Sequence, residues 1–272
     1  MKLGIFAKTF AGHDPLAVMQ AAKDAGFGLC HYNMSCSGLA AMPESVQAQT
    51  VTDIRRAVHA TGVSLCGLSA TFNMIQPDPH VRDMGLRSLE VLASVAKTLG
   101  ISLLTLCTGS RDPEDQWRHH PDNQSMAAWK DLCQSMAVAV AIADRHNVYL
   151  GVEPETANVV NSALSAERLL KEMGSDRIRF VIDPANLFHQ ATLEEQRHLV
   201  SDAIERLTPH IAMAHAKDRD VTGRAVAAGM GVVDFEYYFK QLRAAKFDGP
   251  VITHGLTAVE APTVRTFLET YL

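Results

Sequence analysis

Val148-Tyr-Leu-Gly-Val-Glu-Pro-Glu-Thr-Ala-Asn158 is the stretch on which the reading of the whole chain turns. Its apolar residues Val148, Leu150 and Val152 predict a buried strand. Pro154 lacks an N–H and biases Glu153 away from helical angles, so the strand stops at Glu153. A carboxylate at the mouth of a buried strand is costly unless a cation or hydrogen bonds compensate it. Three later apolar runs end comparably. Arg179-Phe-Val-Ile-Asp183 delivers an acid, while Ile211-Ala-Met-Ala-His215 and Pro250-Val-Ile-Thr-His254 each deliver an imidazole.

Toward the amino end, four more strand–helix units precede this stretch. Lys2–Phe6 is a strand, followed by a helix that Asp14 caps, Pro15 opens and Gly26 stops. Gly28–His31 is the second strand, Pro43–Thr61 a helix with Val46, Val51, Ile54 and Val58 at helical spacing, and Gly62 its end. Val63–Ala70 leads to a helix from Asp78-Pro79 to Leu99, and Ile101–Cys107 is the fourth strand. A long polar connection, 108–123, then reaches a helix over about Ser125–His146. Beyond the central stretch, helices are predicted over Ser162–Met173, Leu193–Leu207, Phe235–Lys246 and roughly Val259–Tyr271.

Eight strand–helix units without a linker or charge block imply a parallel sheet, and their number favours closure into a (β/α)8 TIM barrel, one domain over 1–272. A doubly wound open sheet is the runner-up, weakened because no G-x-G-x-x-G follows a strand. In a barrel the carboxyl ends of all strands share one face, so the polar strand-end residues converge there.

Composition narrows the class. Hydrophobic residues make up 47% of the 272 and charged ones 20%, which fits a soluble globular core. The net charge of −5 speaks against a nucleic-acid partner, and no apolar run is long enough for a membrane span. Five cysteines without a C-x-x-C spacing, and an amino terminus that reads as a strand, predict a reduced, cytoplasmic protein. The oligomeric state stays open, a homo-oligomer included.

Two carboxylates and two imidazoles, with no thiolate, suit a divalent cation such as Mn²⁺, Mg²⁺, Co²⁺ or Zn²⁺. Each residue alone has a plainer reading, as a helix cap or a satisfied core histidine. The joint pattern at four successive strand ends is harder to explain that way. Gly151-Val-Glu-Pro-Glu, Val181-Ile-Asp-Pro-Ala-Asn186, His215-Ala-Lys-Asp218 and Gly229-Met-Gly-Val-Val-Asp-Phe235 resemble the sugar phosphate isomerase/epimerase branch of the xylose isomerase-like barrels. The resemblance covers essentially the whole chain. It implies metal ligands at Glu153, Asp183, His215 and the strand-8 position, here His254. Ketose 3-epimerases carry a second Glu at that last position as the acid/base partner of the first, so His254 is a departure, as is Asn186 where some epimerases have a substrate-contacting His. The catalytic candidates are therefore Glu153 and His254.

Around the ligands, Lys8, Asn33, Glu155, Asn158, Asn186, Lys217 and Arg219 stand near strand ends as candidate contacts to a small carbohydrate. Arg111, Trp117 and His120 occupy the long fourth loop, predicted to close over substrate. The favoured function is a metal-dependent isomerase or epimerase of a small keto-sugar, sugar phosphate or sugar acid, acting through an enediolate. A lyase or decarboxylase on an oxidised sugar is the alternative. An AP-endonuclease-like phosphodiesterase and a non-catalytic sugar-binding barrel rank below these, the first because the comparable loops offer Asn33, Thr71-Phe-Asn and Asn186 rather than histidines.

Overall fold

In the computed structural model, which describes residues 1–272, the alternating apolar runs and capped helices close into a (β/α)8 barrel. The strands are β1 (Lys2–Phe6), β2 (Leu29–Tyr32), β3 (Ser64–Ser69), β4 (Leu103–Leu106), β5 (Tyr149–Val152), β6 (Ile178–Ile182), β7 (Ile211–Ala216) and β10 (Pro250–Thr253). All neighbouring pairs are parallel, and β10 closes the ring against β1 with Lys2 opposite Pro250 and Ile5 opposite Thr253. The two strands not in the ring, β8 (Asp218–Arg219) and β9 (Ala225–Val226), form a small antiparallel ribbon above β7.

The outer helices are α1 (Pro15–Asp24), α2 (Ala48–Thr61), α3 (Pro79–Ala96), α4 (Met126–His146), α5 (Ala163–Met173), α6 (Leu193–Leu207), α7 (Phe235–Ala244) and α8 (Ala261–Glu269). Their ends follow local chemistry. Asp14 and Asp78 each accept a backbone N–H of the first turn beside a proline, and capping boxes at Ser162 and Thr192 open α5 and α6. None of the helices is long and apolar enough to cross a membrane.

Burial falls in two layers. The larger lies between strands and helices, and the smaller is a plug inside the barrel built from Leu103, Val181, Met213 and Ile252. The strands approach closely around that plug: a Cβ on Gly4 would fall 2.7 Å from both the Leu29 carbonyl and Ile252 Cδ1. Ile252 reaches the wall of the cavity above, so the apolar plug is the base on which the polar strand ends stand.

Two expectations shift, and one element is new. The helix expected from Pro43 begins at Ala48, because Leu39, Met42 and Val46 pack on the core from a loop and not from a helix face. The fourth strand starts at Leu103; the Ile101 N–H is still bonded to the Ala96 carbonyl at the helix end. The ribbon after β7 has no counterpart in the sequence reading. There the buried Asp218 carboxylate accepts the backbone N–H groups of Arg219, Gly229, Gly231 and Val233 at 2.8–3.0 Å. Gly229-Met-Gly231 thus wraps a carboxylate: a Cβ on Gly231 would lie 2.4 Å from Asp218 Oδ1.

Candidate metal centre and substrate cavity

The four strand-end residues meet. Glu153 follows β5, Asp183 follows β6, His215 lies in β7 and His254 follows β10, and one ligand atom from each lies within 4.8 Å of all the others. Parallel strands in a closed ring bring together side chains that are up to 101 positions apart in the chain, between Glu153 and His254.

Each ligand is held by its neighbours. Asp183 Oδ1 accepts the Ala185 N–H at 3.0 Å, leaving Oδ2 at 3.0 Å from His254 Nε2 and 3.4 Å from Lys217 Nζ. Glu153 Oε1 accepts the Asn186 amide at 2.7 Å and lies 3.2 Å from His215 Nδ1. Asn186 spans the site, because its Oδ1 in turn accepts the Lys217 ammonium. The His215 and His254 rings meet edge to face, 4.6 Å between centroids.

Electrostatics follow from crowding in a dry place. Burial would raise the Asp183 carboxyl, but Lys217, His254 and His215 hold it well below the usual range. Burial likewise opposes ionisation of Glu153, and the His215 imidazole outweighs it, leaving that carboxyl lowered. His215 is pulled down by burial, yet the Glu153 carboxylate more than offsets this. His254 is lowered, chiefly by burial. Glu155, partly buried, is pushed up to about 7 by desolvation and by the neighbouring Glu153 charge, and its carboxylate makes no hydrogen bond or ion pair within the protein.

These residues fit a divalent cation. Donors 2.0–2.3 Å from an ion sit roughly 3.0–3.5 Å from their nearest fellow donors, the spacing seen between His254 and Asp183 and between His215 and Glu153. His215 faces Glu153 with Nδ1, the ring nitrogen placed to be the donor, while its buried Nε2, on the other side of the ring, has no hydrogen-bond partner. A set of two carboxylates and two imidazoles is chemistry for Zn²⁺, Mn²⁺ or Co²⁺, and less for Ca²⁺, which prefers oxygen alone.

Above the quartet opens a cavity of about 440 Å³. Of the anticipated contacts, Lys8, Asn33, Trp117, Glu155, Asn186 and Lys217 line it. Arg111, His120, Asn158 and Arg219 do not. Arg111 pairs with Asp131 at 2.8 Å and donates to the Ile75 carbonyl, pointing outward between α3 and α4. His120 accepts the Asp122 N–H at the start of a short turn. Arg219 donates to the carbonyls of Ala185 and Gly223 and clamps the ribbon.

Asn158 holds the fourth loop. Its Oδ1 accepts the buried Gly109 N–H at 2.8 Å and its amide donates to the Gln116 carbonyl at 3.1 Å. Asn73 and Asn123 fasten the same loop from other sides, through Ser110 and Arg111 N–H and the Ala157 carbonyl. The segment expected to close as a lid is thus stapled in place, with Gln116 and the half-exposed Trp117 on the cavity rim. Gly109 is required at this spot: its φ is +79°, and a Cβ would stand 2.0 Å from Asn73 Oδ1.

The sequence reading passed over His31. It is buried at the inner face of β2, bonds Thr105 Oγ1 at 3.0 Å, lies 6.1 Å from the His215 ring, and is driven down by burial and by the two neighbouring histidines. The signal was available as parity. In a barrel strand alternate residues face inward, and His31 is the polar member of an otherwise apolar Leu29-Cys-His-Tyr32 run.

Comparison with known proteins agrees with this architecture. L-ribulose-5-phosphate 3-epimerase UlaE of Escherichia coli O157:H7 (strain EC4115 / EHEC) is 25% identical over 257 residues, 92% of this chain and 85% of the relative. The crystal structure of 3-keto-D-glucoside 4-epimerase YcjR from E. coli superposes with a TM-score of 0.78 at 17% identity, covering 99% of each chain. The IOLI protein with a binding zinc atom superposes at 0.74 with 16% identity over 100% of this chain and 99% of its own. At such identities the two structures establish the shared fold. Residues 19–264 match the family model described as xylose isomerase-like TIM barrel, and the chain belongs to that family.

Proposed function

We propose that the chain is a divalent-metal-dependent isomerase or epimerase acting on a small keto-sugar, sugar phosphate or sugar acid through an enediolate. The observation that carries this reading is the convergence of Glu153, Asp183, His215 and His254 at the base of a polar cavity of about 440 Å³. The sugar epimerases among the similar proteins support the same substrate class, and the zinc in a structural neighbour supports the cation. A cation held by the quartet supplies charge stabilisation for an oxyanion developing on the substrate carbonyl.

The remaining chemistry falls to side chains. Glu153 Oε1 is engaged by Asn186 and His215, which leaves Oε2 as the atom free to take a proton from the carbon next to the carbonyl. Asn186, itself fixed by Lys217, holds that carboxylate in one orientation. His254 is the second candidate base. Glu155, without a partner in the protein, is placed to accept a substrate hydroxyl. A lyase or decarboxylase is the second reading, favoured by one feature: an imidazole, not a carboxylate, stands at the fourth corner opposite Glu153.

Incubation with metal and keto-sugars in D₂O tests the reading. Deuterium is expected at the carbon next to the carbonyl, and product analysis separates epimer from cleavage product. Glu153→Gln should abolish exchange, whereas full exchange in His254→Gln would remove His254 from the role of base. Absence of exchange and turnover across a panel of neutral and anionic keto-sugars would sink the enzyme reading in favour of a binding barrel.

A further inference from the structure

We propose that Lys8 and Asn33 form an anion-binding subsite, so that the substrate carries a phosphate or carboxylate at the end remote from its carbonyl. The inference rests on the function proposed above and narrows its substrate class. Charge around the cavity is divided. Glu153 and Glu155 line the side built by β5 to β10, with Asp183 buried beneath, whereas no carboxylate lines the side built by β1 to β4. The first side is taken up by the cation and its ligands, and the second carries no carboxylate to repel an anionic group.

On that second side Lys8 is the sole lysine or arginine. The other basic residues near the barrel mouth are spent. Lys217 is bound to Asp183 and Asn186, Arg111 to Asp131, and Arg219 to backbone carbonyls. Lys8 stands in the turn that follows β1, exposed at the mouth, and takes part in none of the protein's ion pairs. A phosphate or carboxylate there keeps part of its hydration, which lowers the cost of binding it.

Asn33 supplies the independent observation. It is 3% exposed, lines the cavity, and spends its Oδ1 on the Ser35 N–H at 3.0 Å. Its amide NH₂ has no partner in the protein and is the end left to donate. An ammonium and an amide NH₂ only donate, which suits a group of acceptors alone. A sugar hydroxyl, which both donates and accepts, would not need two such donors. Bound this way, the anion is held at the mouth while the carbonyl end lies over the metal quartet.

Ribulose 5-phosphate against ribulose, and fructuronate, whose carboxylate is remote from its ketone, against fructose, test the proposal in the metal-loaded enzyme. The wild type is expected to prefer one anionic probe over the neutral sugar by about 100-fold in kcat/KM. In Lys8→Met that preference should collapse toward unity, mainly through KM. Asn33→Ala should lower it by about 10-fold, and Lys23→Met, on the outer face of α1, serves as the control for loss of a charge. Whichever anionic probe loses its advantage identifies the group. Equal use of neutral and anionic sugars by the wild type, or parallel loss on both in Lys8→Met, overturns the proposal while leaving the isomerase reading intact. Should no sugar be turned over, the function reading fails, and calorimetry with inorganic phosphate still decides this one. Binding that weakens about 10-fold or more in Lys8→Met supports it, and equal binding overturns it.

Discussion

The two halves of the barrel mouth are built on different principles. From β5 to β10, every strand delivers a charged or titratable group, and each is tied to another: Glu153 to Asn186 and His215, Asp183 to His254 and Lys217. From β1 to β4, the strand ends offer Lys8, His31, Asn33, Ser69, Thr71 and Thr105, and among these the side-chain ties are few, chiefly His31 to Thr105. The first half resembles a metal cage already assembled, in which opposing charges hold one another in position. The second presents groups whose hydrogen-bonding capacity is left for a ligand. On the function and subsite proposed above, reaction and recognition fall to different halves, so altering one half need not disturb the other.

The sharpest way to break that division is Asp183→Asn. An amide is a much poorer ligand than a carboxylate, and the change also leaves the Lys217 ammonium without its counter-charge. Stoichiometric metal measured by mass spectrometry should disappear, and deuterium exchange should fall by about 10³-fold, near 4 kcal/mol. Retention of both would show that the acid half is a structural ion-pair network. Treatment of the wild type with a chelator should give the same loss of exchange, restored on adding Zn²⁺ or Mn²⁺.

Asn158→Ala comes next. It leaves the buried Gly109 N–H without an acceptor and frees the Gln116 carbonyl, so denaturant unfolding should show a loss of about 2 kcal/mol. Because the same staple holds Trp117 on the rim, KM should rise while metal content stays at the wild-type level. A rise in KM without loss of stability would return Asn158 to direct substrate contact.

The smallest effect is expected from Arg111→Ala. Its side chain is only 13% exposed, and its guanidinium bridges Asp131 and the Ile75 carbonyl, away from the cavity. Loss of about 1 kcal/mol of stability with KM within about twofold is the expected result. A tenfold higher KM for an anionic sugar would place Arg111 in the recognition half after all and weaken the case for Lys8.

Legibility followed the physics of each element. Glu153, Asp183, His215 and His254 were readable because each terminates an apolar run, and a buried strand cannot end in an ionisable group without compensation. Arg111 and Arg219 were misplaced for a matching reason. Long basic side chains reach several ångströms, and nearness to a strand end in sequence does not say whether the head turns inward or finds a carboxylate outside. Asn158 illustrates the same ambiguity for amides, which serve a loop's backbone as readily as a sugar hydroxyl.

The amino-acid sequence by itself determined the number of strand–helix units, the helix starts at Asp14-Pro15 and Asp78-Pro79, and the acids and imidazoles at four strand ends, because propensity, capping and hydrophobic alternation act over a few residues. Tertiary structure alone decided which side chains share the cavity. Ring closure set His31 opposite His215, loop packing started α2 at Ala48, and asparagine side chains tied the fourth loop to its neighbours. Those outcomes depend on contacts between residues tens of positions apart, whose partners no local pattern names.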